Sequence, residues 1–258
     1  MKLPSTLLVF AAASVVACSE SPGTAPPADA STVQDTPAPL DVAPVQDIPV
    51  TPDVATVQDS GAPSDASGAF TMTPYRSDAP ERSFRAAEMV LQPGRDYRAI
   101  IETDVGAITL DLYEQETPIT VNSFVFLALH HYFDGLAFHR VLEGFVAQGG
   151  DPLTAGTNRA AWGTGGPGYM FDTETVASLT FDGAGVLGMA RSTSRSSNGS
   201  QFFITLAAAT SLNGMYTVFG RVTEGLDVLD RIARNPNQNT PPATPTRMTR
   251  VVIQERAR

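Results

Sequence analysis

Between Cys18 and Ala69 the chain carries no aromatic residue, and this gap decides where a folded core can lie. The same stretch is dense in helix and sheet breakers: eleven of the twenty prolines fall between Pro22 and Pro80. Aspartate recurs every six residues from Asp29 to Asp65, and Val-Gln-Asp recurs at Val33, Val45 and Val57. A short period can mark a stacked repeat. Here no repeat supplies enough large apolar surface to offset the entropy of ordering its backbone. The aspartates also repel one another. Residues 18–83 are therefore expected to form a disordered, acidic, polyproline-biased tether with an r.m.s. span of about 45 Å as a coil.

Residues 1–17 read as an address. Lys2 precedes an apolar run from Leu7 to Ala13 that is too short to cross a bilayer comfortably. Val15, Val16 and Ala17 then lead to Cys18, the only cysteine. This is the pattern of a secretory signal peptide. The cysteine after its small-residue site resembles a bacterial lipobox, with Val where Leu is commoner. Cys18 is the expected lipidation site, joining the chain to a membrane of the cell envelope. In the Gram-negative sorting pattern that this resembles, Asp at position 19 retains a protein at the inner membrane and Ser does not, so a lipid anchor in the outer membrane, on its periplasmic face, is expected.

Charge and composition exclude several chemistries. Residues 81–258 hold 18 acids and 15 arginines, so no basic nucleic-acid footprint is present. The only lysine is Lys2. A single cysteine rules out an intramolecular disulfide framework and cysteine-based zinc sites. His130, His131 and His139 are the only histidines, and adjacent helical residues point about 100° apart, so no histidine metal cluster is expected. The string Gly183 to Gly188 matches G-x-G-x-x-G, but the serine- and arginine-rich stretch behind it has no helical apolar stripe. Residues 163–168 are glycine-rich without the Gly-Lys-Ser/Thr of a phosphate loop.

The pattern changes at Phe84. Residues 97–104 and 107–113 read as a hairpin with a turn at Val105-Gly106; Thr109 and Asp111 face outward, and Ile108, Leu110 and Leu112 inward. Thr117-Pro118 opens a helix whose apolar stripe is Val121, Phe124, Val125, Leu127 and Ala128. Short strands follow at 137–142, 145–148, 185–190, 202–206 and 216–222. A short helix reaches Ala233, and 247–254 is a last strand. Many short strands with few helices indicate a mainly β domain over 84–258, an antiparallel barrel or sandwich.

Residues 138–151, Phe-His-Arg-Val-Leu-Glu-Gly-Phe-Val-Ala-Gln-Gly-Gly-Asp, resemble the central signature of the cyclophilin-type peptidyl-prolyl isomerases. The resemblance continues in order through 117–124, 166–169, 185–191, 198–204, 212–214 and 216–220. It covers about Met89 to Gln254. It implies an eight-stranded antiparallel barrel closed by two α-helices, with a peptide groove on its outer surface, and an enzyme acting on proline-containing unfolded or extended chains. No cofactor or metal is called for, and a monomer is expected.

The chemistry agrees. Amide resonance sets a rotation barrier of about 18–20 kcal/mol. Lowering it needs no nucleophile, only an apolar slot for the proline ring and a donor that favours the twisted amide. Arg140, always charged and rigidly forked, suits that donor. The family pattern assigns Phe145, Phe203 and Leu212 to the slot and Val146 to its wall. It assigns Gln148 to the substrate backbone, Gln201 nearby and Tyr216 to the rim. The backbone of Met189, Ala190 and Arg191 is expected to pair with the extended peptide. His139 is read as a satisfied polar group behind the strand. The competing possibility is a cyclophilin-like peptide-binding module or holdase with incidental isomerase activity. Three departures stand out: Ser211 where many eukaryotic members carry Trp, Tyr216 where they carry His, and a longer loop at 153–164 holding the sole tryptophan, Trp162, expected to anchor it.

Overall fold

The structure is a computed structural model describing residues 68–237 and 239–258. The expected signal peptide, Cys18 and the expected tether as far as residue 67 lie outside the described residues. Among the described residues no helix is long and apolar enough to cross a membrane.

Among the described residues nine strands and two α-helices follow one another as β1 (Thr71–Met72), β2 (Arg95–Thr103), β3 (Gly106–Leu112), α1 (Pro118–Leu129), β4 (Arg140–Leu142), β5 (Val146–Gly149), β6 (Val186–Met189), β7 (Phe202–Thr205), β8 (Val218–Glu224), α2 (Leu226–Arg231) and β9 (Met248–Ala257). All ladders are antiparallel, in the order β1-β9-β2-β3-β8-β6-β7-β5-β4. Two corrections to the expected closed eight-stranded barrel follow. A ninth strand, β1, adds to the edge of β9. The sheet is also not closed by a ladder: among the described residues the gap is crossed by the isolated bridge Ala137↔Arg247, with Phe138 N–H to Thr246 O at 2.9 Å, Met248 N–H to Leu136 O at 2.8 Å and Gly135 N–H to Met248 O at 2.7 Å. Residues 137–139, read as strand, meet neighbours too briefly to extend β4.

The hairpin of β2 and β3 buries Tyr97, Ala99 and Ile101 against Ile108, Leu110 and Leu112. Thr109, expected outside, is buried. The β3–β8 register shifts at Thr109/Leu110, and Thr223 Oγ1 donates to Thr109 O at 3.3 Å, so the bulged end of β8 covers this position.

Pro118 opens α1 as expected, but no side chain from Thr117 caps it. The free amides are met by Glu174, whose carboxylate accepts from Ile119 N at 3.1 Å and Thr120 N at 2.7 Å. A carboxylate there satisfies orphan donors and complements the helix dipole. The helix is buried all round from Thr120 to Leu129, not along one stripe. Its outer side is covered by residues 76–91, through Arg76 N–H to Leu129 O at 2.7 Å and Asn122 bonded to Val90 N and Glu88 O.

Residues 68–83, grouped by composition with the tether, thus lie on the domain. Tyr75 Oη donates to Val251 O at 3.0 Å, Arg82 donates to Tyr132 O and Asp134 O, and Phe70 sits between the guanidinium groups of Arg98 and Arg256. Each partly buried hydrogen bond contributes about 1 kcal/mol net. A chain beginning at residue 68 is expected to melt with the full chain, and one beginning at Phe84 about 10 °C lower, at roughly 2–4 °C per kcal/mol for a domain of this size. Coincident melting curves would show the docked segment to be energetically idle.

Candidate active site

The ladders place three of the proposed catalytic residues in one row. Arg140 pairs across β4–β5 with Gln148, and Gln148 pairs across β5–β7 with Phe203. Directly paired residues in neighbouring strands share a face of the sheet. Gly188, opposite Phe203 on β6, extends the row. A Cβ at Gly188 would come within 2.3 Å of the Phe203 ring and 2.8 Å of Phe181, so glycine here provides the room in which that ring lies.

Phe203 belongs to an apolar cluster separate from the main core. Phe145, Val146, Ala190, Leu212 and Tyr216 join it, over a floor of Phe181, Val186, Ala209 and Val218. Phe181 packs on Phe203 at 5.4 Å, and Tyr216 meets its edge at 5.9 Å. Asn213 Oδ1 accepts from Phe181 N–H at 2.8 Å and holds the turn that carries Leu212. The residues assigned to a proline slot are therefore in one place.

A polar chain runs along one side. Arg140 Nη1 reaches Gln148 Oε1 at only 3.5 Å, Gln148 Nε2 donates to Gln201 Oε1 at 2.9 Å, and Gln201 Nε2 donates to Gly163 O and Gly165 O. The half-buried Arg140 guanidinium lies 5.9 Å from the Phe145 ring centroid and has no carboxylate partner among the described residues. Its charge is left free beside the slot. Past Gln148 and Gln201 opens a cleft of about 740 Å³ between the glycine run 163–168 and residues 190–201. Tyr169 lines it; burial raises its phenol to about 12, and its hydroxyl pairs with Ser123 at 2.8 Å.

Some assignments are corrected. The Met189 side chain lies in the main core, outside the groove. β6 is flanked by β7 and β8, and the amides of Met189 and Ala190 already donate to Thr217 O and Gln201 O. An interior strand has no free edge, so those two amides cannot serve a bound peptide. Arg191 lies beyond the strand, its guanidinium 4.6 Å over the Tyr216 ring. Trp162 is outside both the slot cluster and the cleft lining. Arg159 covers its ring at 4.9 Å and donates to Pro242 O and Ala243 O, which ties the long loop to residues 242–243. Phe181, Ala209 and Gly188 escaped the sequence reading. The one available signal was the G-x-G-x-x-G string, whose last glycine makes space for a ring, not a phosphate. Among the described residues no group of three His, Cys, Asp or Glu could hold a metal ion.

His139 is 5% exposed, and neither ring nitrogen makes a hydrogen bond of normal geometry to a described residue. The site lies behind the strand, where the loop at Gly163 closes over the ring. Burial lowers its pKa below the usual value, outweighing the attraction of Asp151. The unfolded chain then takes up a proton that the folded one refuses. This contribution to stability is complete above about pH 6.5 and is lost as pH falls toward the depressed value. Denaturant titrations between pH 8 and 5 should show falling stability, with a flatter profile in His139→Gln; parallel profiles would contradict this.

The sequence profile described as "Cyclophilin type peptidyl-prolyl cis-trans isomerase/CLD" matches residues 98–253. Peptidyl-prolyl cis-trans isomerase-like 1 of Neurospora crassa is 42% identical over 158 residues, covering 60% of this chain and 94% of its own length. Its namesake in Homo sapiens is 42% identical over 132 residues, covering 51% and 76%. A crystal structure of a Cryptosporidium parvum cyclophilin type peptidyl-prolyl cis-trans isomerase, in the presence of the dipeptide Ala-Pro, aligns with a TM-score of 0.55 at 31% identity, covering 60% of this chain and 98% of that one.

Proposed function

The chain belongs to the cyclophilin-type peptidyl-prolyl cis-trans isomerase family and is an isomerase of that type, and from this premise we propose that it turns X-Pro bonds in extracytoplasmic protein chains, with Arg140 stabilising the twisted amide. The observation that carries the mechanism is the row Arg140–Gln148–Phe203, which sets a guanidinium without a carboxylate partner beside an apolar slot. Twisting the amide ends its resonance and returns a lone pair to the proline nitrogen. A guanidinium N–H can donate to that lone pair only in the twisted state, so the bond lowers the barrier without tightening ground-state binding. The slot of Phe145, Val146, Phe203 and Leu212 holds the ring while Gln148, braced by Gln201, hydrogen-bonds the substrate backbone. The Ala-Pro dipeptide accompanying the related parasite structure supports a proline occupant for this slot. The test is exchange NMR on Ala-Ala-Pro-Phe with the full chain; cis–trans exchange no faster than in buffer would refute it.

For its place in the cell the support is Cys18, the sole cysteine, directly after Val15-Val16-Ala17. We place the protein on a lipid anchor at the periplasmic face of the outer membrane, acting as a monomer. Cys18→Ser should leave catalysis intact and move the protein from the membrane to the soluble fraction of a Gram-negative host. Retention in membranes after a salt wash would contradict lipidation.

A further inference from the structure

Charge is segregated around the groove. The segments that line the cleft and carry the slot rim, 144–151, 162–170 and 189–217, contain one carboxylate, Asp151, which is fully buried; the floor segment 179–186 adds the exposed Asp182, which is paired with Arg221. They also contain Arg191 and Arg195, and Arg140 stands across the sheet. This occurs in a chain of net charge -10, whose residues 81–258 hold more acids than arginines. Among the described residues the exposed carboxylates nearest along the chain, Glu143, Asp172 and Asp182, form no ion pair with Arg191 or Arg195; Glu143 pairs with Arg234 and Asp182 with Arg221.

The two loop arginines are fixed on the same side of the slot. Arg191 donates through Nε and Nη2 to Met215 O at 3.2 and 2.8 Å, and through Nη1 to Ser192 O and Thr193 O. Arg195 Nη1 donates to Gly214 O at 3.2 Å. Both guanidinium groups thus grip adjacent carbonyls of the turn that delivers Tyr216 to the slot rim. Among the described residues their hydrogen-bond acceptors are neutral carbonyls, and neither guanidinium has a carboxylate partner. Arg191 also lines the cleft, which shares Gln148, Ala190 and Gln201 with the catalytic side of the slot. A peptide with its proline in the slot must run past these charges on one flank.

We propose that this isomerase selects proline peptides bearing an Asp or Glu within three residues of the X-Pro bond, on the flank that crosses Arg191 and Arg195. The proposal deepens the isomerase reading and rests on it. A carboxylate there meets two partly exposed guanidinium groups, each pair of the surface class, and together they give about a five- to tenfold preference at low salt. A lysine at the same position meets repulsion of similar size. Ionic screening over about 10 Å at 0.1 M and less above it makes the preference fade with salt.

Exchange NMR on the full chain, with no coupling protease, reads this directly. The probes are Xaa-Ala-Pro-Phe and Ala-Ala-Pro-Phe-Xaa with Xaa as Asp, Asn or Lys, at 20 mM and 500 mM salt. On one flank the order Asp, then Asn, then Lys is expected at low salt, spanning about tenfold or more and collapsing at high salt. Arg195→Gln should shrink the span without altering turnover of the Asn peptides, and Arg191→Gln with Arg195→Gln should abolish it. Equal acceleration of all three on both flanks, or a span that survives the double substitution, overturns this inference alone. Failure to accelerate any peptide overturns the mechanism beneath it.

Discussion

Arg140→Ala should lower kcat/KM for a neutral Ala-Pro peptide by about 10²-fold or more while leaving the melting temperature nearly unchanged. The size follows from the loss of one preorganised donor aimed at the transition state, about 2.7 kcal/mol or more. The small stability cost follows from the surroundings. Arg140 stands on the last strand of the sheet, makes one long contact to Gln148 at 3.5 Å, and forms no ion pair among the described residues. Little is given up in the fold when it is removed. Arg140→Lys tests the geometry separately: it keeps the charge but loses the fork, so most of the rate should still be lost. A near-normal kcat/KM in Arg140→Ala with an intact fold would remove Arg140 from the mechanism, since no other guanidinium stands in the Gln148–Phe203 row.

The row itself shows what a sequence can and cannot reveal. Arg140 and Gln148 were legible in one contiguous signature and Phe203 in a second stretch at 198–204, and their types suit the chemistry. Their alignment was not legible, because register across β4, β5 and β7 is set by turns and by the packing of distant strands. The same limit explains α1. Its apolar stripe was visible in the 3.6-residue spacing, yet its polar side, with Asn122 and Ser123, is also buried. The covering segment lies 32 and 34 residues away at the two bonds to Asn122 and carries no period of its own. Composition grouped 68–83 with the tether because Pro74, Asp78 and Pro80 continue its flavour. What ties this segment to the domain is backbone bonding to Leu129 and His130 together with single side chains such as Tyr75. Such contacts leave no pattern in the local sequence. Phe181 and Gly188 were missed for a related reason: each matters through its contact with Phe203, and contact order is invisible to periodicity.

Catalysis and inhibition by cyclosporin-like cyclic peptides should separate in this enzyme. In the family pattern a tryptophan at the rim gives that ligand a broad apolar face and an indole N–H; here the matching residue is Ser211. It is exposed in the short turn Thr210–Leu212, next to the slot residue Leu212. A serine offers neither the area nor the donor. Loss of a large aromatic contact at a binding hot spot typically costs several kcal/mol, and each 1.4 kcal/mol is tenfold in affinity. Trp162 does not substitute, since its ring is covered by Arg159 and is absent from both the slot cluster and the cleft lining. Short proline peptides depend instead on Phe145, Phe203 and Leu212, which are all in place. Inhibition should therefore be weaker by about 10²-fold or more than in tryptophan-bearing members, with turnover intact. Ser211→Trp should restore sensitivity with little change in kcat/KM, because position 211 lies on the exposed surface and outside the slot cluster. Inhibition curves on both forms decide it: tight inhibition of the unmodified enzyme would show that the ligand is held by the slot and cleft alone, without an aromatic at this rim.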